Sequence, residues 1–105
     1  MELRKRTKDD KWISSHLVNT FQATQEQIEK AFGEPTYTEW GIEEKVQNEW
    51  ELMSGKHIVT IYDWKEYRKY DYDEVLEWHI GSDCDDADFV SNVKKEILTK
   101  IASAQ

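Results

Sequence analysis

Between Val46 and Trp64 the chain reads VQNEWELMSGKHIVTIYDW, two runs of strand character about a Ser54-Gly55 turn, and no other stretch constrains the fold as much. In the first run Val46, Asn48, Trp50 and Leu52 alternate with Gln47, Glu49 and Glu51, the period of two of a strand buried on one face. Gly55 accepts the positive φ of a tight hairpin loop without a Cβ clash. The second run is apolar on both faces, with Ile58, Tyr62 and Trp64 on one and Val59 and Ile61 on the other, which predicts a central strand. A two-residue loop sets Trp50 against Val59 and a three-residue loop sets it against Thr60. The register stays open at this level, because a slip of one residue exchanges the faces.

Leu76, Trp78 and Ile80 alternate with Glu77 and His79, predicting a strand antiparallel to Ile58–Trp64, and Ile13, Leu17 and Phe21 share a face of a further strand over 12–21. Thr24 and Gln27 form a capping box ahead of a two-turn helix carrying Ile28, Ala31 and Phe32, which Gly33 and Pro35 stop. After the acidic SDCDDAD of 82–88, Phe89, Val90, Val93, Ile97 and Ile101 recur at helical spacing. The expected fold class is α+β: a three- to four-stranded antiparallel sheet with the short helix and the long C-terminal helix packed on one face. Its core should hold Phe32, Trp50, Leu52, Ile61, Trp78, Ile80, Val93 and Ile97. Residues 1–11, with Arg4, Lys5, Arg6, Lys8 and Lys11, are predicted to be a mobile basic arm and 12–105 a single domain.

The 22 acidic and 14 basic residues give a formal charge of −8, which repels nucleic-acid phosphates and suits a basic partner, or serves solubility alone. One cysteine excludes a disulfide within the chain and a thiolate zinc ribbon. No run approaches the roughly 18 apolar residues of a membrane span, and the basic start is not followed by a signal-type apolar segment. The expectation is a cytoplasmic protein with neither membrane nor direct nucleic-acid contact, its oligomeric state open.

His16, His57 and His79 lack metal-ligand spacing, and Cys84 lies between Asp83 and Asp85, whose charge disfavours a thiolate. The aspartates of 83–88 lack the glycine and distal glutamate of a calcium loop, and neither a phosphate-cradling loop nor a nucleophile elbow occurs. No catalytic residue, metal or cofactor is predicted, and the chain is expected not to be an enzyme. Recognition should instead involve the loop EYRKYDYDE of 66–74, with Tyr67, Tyr70 and Tyr72 as anchors. Glu39, Glu43, Glu44, Glu49, Glu51, Asp71, Asp73 and Glu74 are candidate carboxylates for a basic surface. The aromatics Tyr37 and Trp40, in the loop of 34–45, would cover a core edge or face a partner. The alternative is capture of a nucleotide-derived signal, with Tyr62 and Trp64 stacking on a base and Lys65, Arg68 or Lys69 meeting phosphate.

Phe32-Gly33-Glu34-Pro35, Glu49-Trp50, Thr60-Ile61-Tyr62-Asp63-Trp64-Lys65 and Trp78-His79-Ile80-Gly81, in that order, resemble a pattern of small proteins of unassigned function encoded by bacteriophages and other DNA viruses. The resemblance covers roughly residues 17 to 101, and where such relatives read WHIGG this chain has Gly81-Ser82. It implies a viral accessory protein acting in the host cytoplasm and carries over no site residue. With the acidic charge, the expectation is a non-enzymatic inhibitor of a host defence protein, of the anti-CRISPR kind, whose acidic and tyrosine-rich surface mimics nucleic acid.

Overall fold

A computed structural model describes residues 1–11, 13–38 and 45–105. Within them the elements run β1 (Arg4–Lys5), β2 (His16–Ala23), α1 (Gln25–Phe32), β3 (Tyr37–Thr38), β4 (Asn48–Ser54), β5 (His57–Tyr62), β6 (Leu76–Ser82) and α2 (Ala87–Ala104). The sheet order is β1-β4-β5-β6-β2, all antiparallel, with β3 also on β4. The architecture is the expected α+β arrangement, but among the described residues the sheet has six strands rather than three or four. The extra ones are β1 and β3, two residues each, too short to show any periodicity.

The central hairpin closes one residue later than a Ser54-Gly55 turn would place it. Ser54 pairs with His57, so Gly55 and Lys56 are the loop, and Gly55 takes φ 59° at its first position. Trp50 therefore faces Ile61, neither Val59 nor Thr60. The loop keeps two residues, so every pair shifts by two and the faces of both strands are conserved. Predicted as a central strand, β5 does lie between β4 and β6.

One face of the sheet is the core. Trp50, Leu52, Val59, Ile61, Leu76, Trp78, Ile80, Phe21 and Ala23 form one cluster with Ile28 and Phe32 of α1 and Val93, Ile97 and Ile101 of α2. All eight residues expected in the core are buried. The Trp50 and Trp78 rings meet edge to face, centroids 5.5 Å apart, and each indole N–H reaches a backbone carbonyl at 2.9 Å, Gly33 O for Trp50 and Ala23 O for Trp78. Both helices are capped as their sequences demand. The Thr24 hydroxyl accepts from Gln27 N and the Gln27 side chain accepts from Thr24 N, Gly33 ends α1 at φ 82°, and the Asp86 carboxylate accepts from Phe89 N.

Within residues 1–11, read from sequence as a mobile basic arm, Arg4 and Lys5 join the sheet. Leu3 is buried and Arg4 and Lys5 pair with Met53 and Leu52. The Arg4 guanidinium donates to both oxygens of Asp10, at 2.7 and 2.8 Å, which holds that carboxyl well below the usual carboxylate range. β1 lies on one edge of the sheet and β2 on the other, and the described residues 6–11 and 13–15 stand between them in the chain. At one end of this stretch Arg6 N donates to Glu51 O, and at the other the Ser15 hydroxyl lies against Gly81. Glu51, Thr60 and Gly81 are directly paired across three strands on the face away from the helices. On this half of that face Met53, Ile58 and Thr60 are buried.

Candidate functional site

The other half of that face is a single row. Strand pairing sets Tyr37 of β3 opposite Glu49 of β4, Glu49 opposite Tyr62 of β5, Tyr62 opposite His79 of β6 and His79 opposite Thr20 of β2. Directly paired residues on neighbouring antiparallel strands have Cβ atoms only about 5 Å apart, so these side chains form a continuous strip. Tyr62 meets His79 edge to face at 5.4 Å, Trp64 stacks on His79 at 6.2 Å, and the Lys65 ammonium lies 5.5 Å from the Trp64 ring centroid. Tyr37 is 44% exposed and Trp64 40%.

Glu49 is the carboxylate of this strip. Burial, then the nearby charges of Glu51 and Asp63, push its carboxyl up to about 6 from an ordinary 4.5. No described cation lies within ion-pair distance of it, whereas Asp10, Glu51, Glu66, Glu74 and Glu26 each have one. Below about pH 4.5 both folded and unfolded chains hold the Glu49 proton and nothing is lost. As pH rises through 6 the folded chain must ionise an ill-solvated group, and stability falls. The shift corresponds to about 2 kcal/mol, reduced to about 1 by the solvent that still reaches the group. Glu49→Gln is therefore expected to raise stability by about 1 kcal/mol at pH 8 and to leave it unchanged at pH 4, read from urea midpoints at both pH values.

The loop of 63–75 crosses the same end of the sheet. Its anchor is Asp63, 1% exposed, whose carboxylate accepts from Gln47 N at 2.7 Å, Asn48 N at 3.1 Å and the Tyr70 hydroxyl at 2.7 Å. Tyr70, expected to be a partner-contact anchor, is half-buried with its ring against Trp78. Burial and the Asp63 carboxylate hold its hydroxyl far above the ordinary tyrosine range, and it serves the fold. Arg68, expected to meet a phosphate, is engaged by Glu74 and by Glu66 at 3.6 Å. That pairing also occupies Glu74, one of the expected partner-facing carboxylates, and holds it below its ordinary value. Lys65 and Tyr67 adopt φ 54° and 51°, a left-handed backbone that costs such residues about 1 kcal/mol or more each.

The remaining predicted residues divide cleanly. Tyr67 and Tyr72 are each 46% exposed, and Lys69, Asp71 and Asp73 are exposed as well. Tyr72 is drawn toward α1, where its backbone carbonyl accepts from Glu26 N. Glu51 stands one row inward, 3.8 Å from Arg6. Glu39, Trp40, Glu43 and Glu44 lie outside the described residues. Sequence reading missed Tyr37 and His79 as members of one strip. The alternation of His79 with Trp78 and Ile80 does place it on the face away from the core, but only the pairing shows that Tyr62 is its neighbour. His57 and Asp83, neither of them singled out as a contact from sequence, are joined at 2.9 Å, and Asp83 also accepts from Ile58 N at 2.9 Å.

A second concavity, about 880 Å³, lies between β2 and α2, lined by Leu17, Val18, Val90, Leu98 and the lysines 94 and 95. It contains none of the residues singled out from sequence as candidate contacts. No protein-family model matches the chain and no curated protein matches it, so the ground for function is the aromatic and acidic end of the sheet.

Proposed function

We propose that the protein is a non-enzymatic binding protein that uses this end of the sheet to occupy a basic surface of another protein, as an inhibitor encoded by a phage would occupy a host defence factor. One observation carries the reading. Tyr37, Trp64, Tyr67 and Tyr72 are each at least 40% exposed at one end of the sheet, among carboxylates, while Arg68, a cation of the same loop, is paired internally. Large aromatic groups partly exposed on a small domain mark partner surfaces, and the formal charge of −8 supplies steering toward a basic groove. Nucleotide capture is the weaker reading, because Arg68 is occupied and a carboxylate, Glu49, sits in the middle of the ring strip.

The test is capture of partners from a bacterial lysate on the immobilised protein, followed by affinity measurements on any captured partner at several salt concentrations. Binding to a basic protein, weakened about tenfold by Asp71→Lys with Asp73→Lys at low salt and flattened in its salt dependence, is the expected result. Capture of a non-basic partner, or affinity indifferent to both salt and reversal, overturns the reading. Co-purification of a nucleotide that binds the isolated chain would favour the alternative.

A further inference from the structure

We infer that the row Tyr37, Glu49, Tyr62 and His79, with Trp64 at its margin, is a binding site for a single guanidinium group, presented by an arginine of the partner. The inference rests on the reading above and names the chemistry of its contact. Glu49 stands between two tyrosines, Tyr37 on the neighbouring strand to one side and Tyr62 on the neighbouring strand to the other. A planar cation laid in that gap would have a ring on each flank and a carboxylate at its base. Ring faces attract cations, and a guanidinium stacks on aromatic planes while bonding a carboxylate through two N–H groups.

The charge pattern points the same way. Glu49 is half-buried with no cation within 4 Å among the described residues, whereas Asp63, more deeply buried and also without a cation, is satisfied by three hydrogen-bond donors. Leaving an acid half-buried without a counter-charge costs the fold stability, a cost that an incoming cation would offset. Lys65 already lies over Trp64, so that ring's environment accepts a positive charge. An anion such as a phosphate would meet the repulsion of Glu49, with Glu51 and Asp63 close behind.

The experiment is a titration of isotope-labelled protein with N-acetyl-arginine methylamide, with the citrulline analogue as the uncharged control, followed by amide and indole NMR shifts. Saturable shifts at Glu49, Tyr62, Trp64 and His79 with arginine and none with citrulline are expected. Glu49→Gln should weaken binding about tenfold and Tyr62→Leu about threefold. Glu96→Gln on α2 should not change it. Absence of saturable shifts, equal response to citrulline, or an affinity unmoved by Glu49→Gln in a protein with native amide dispersion would overturn the inference. The two proposals fail separately. Probe binding without any basic partner refutes only the broader reading, and a basic partner whose affinity survives both Glu49→Gln and Trp64→Ala refutes only this one.

Discussion

Asp63→Ala is expected to destabilise the protein by about 3–5 kcal/mol, a large share of the roughly 5–15 kcal/mol that holds an ordinary domain folded. The buried carboxylate terminates two backbone N–H groups and one hydroxyl at once, and each would be left without an acceptor. Buried donors stranded in this way cost about 1–3 kcal/mol apiece. Asp63→Asn should cost less, about 2 kcal/mol, because it keeps the oxygen facing Gln47 N and Asn48 N. Its amide would instead meet a Tyr70 hydroxyl that already accepts from the Asn48 side chain at 2.6 Å. Tyr70→Phe should be milder still, at about 1 kcal/mol. Urea titrations of the three variants would show this order, and a loss below about 1 kcal/mol for the alanine variant would refute the role of Asp63 as the clasp between β4, β5 and the loop of 63–75.

Gly81→Ala is the second large effect, about 2–3 kcal/mol. A Cβ at position 81 would stand 2.4 Å from Thr60 Oγ1 and 3.3 Å from both Tyr62 Cε1 and Ser15 Oγ. Thr60 is 1% exposed, directly opposite on β5, and cannot simply swing into solvent. The buried Thr60 hydroxyl has no hydrogen-bond partner among the described residues, so Thr60→Ala alone should change stability by less than about 1 kcal/mol. In that background Gly81→Ala should cost well under half its original amount, a coupling measurable by a double-mutant cycle. Additive losses would show that the glycine is required for some reason other than this contact. The same substitution should disturb the Tyr62 ring, linking the dimple at Gly81 to the shape of the aromatic row.

Much of the scaffold is legible in the chain because it is locally encoded. The capping box at Thr24, the glycine at 33 and the 3.6-residue spacing of Val93, Ile97 and Ile101 determine both helices without reference to anything distant. Period-two alternation likewise assigns Trp50, Leu52, Trp78 and Ile80 to the core side. These signals are written within a few residues of each other, and the burial they predict is the burial found.

The site is different in kind. Tyr37, Glu49, Tyr62 and His79 come from four strands and become neighbours only through register, and register depended on whether the hairpin loop was Ser54-Gly55 or Gly55-Lys56. The N-terminal residues looked like a solvated arm because their charges show no period. Their place was decided by pairing with β4. On the face away from the helices Met53 and Ile58 are buried while the Glu49 row is only partly so, a division invisible to any local pattern. Nor does composition reveal which charges are spent: Arg68 and Glu74 are six residues apart and cancel, while Glu49 is paired across strands with two tyrosines and has no cation within 4 Å among the described residues. The sequence by itself determined which residues make helices and which side of each strand is apolar, since those follow from spacing along one segment. Which polar side chains share a surface depends on pairings between segments as far apart as His16 and Ser82, and so was settled by the fold as a whole.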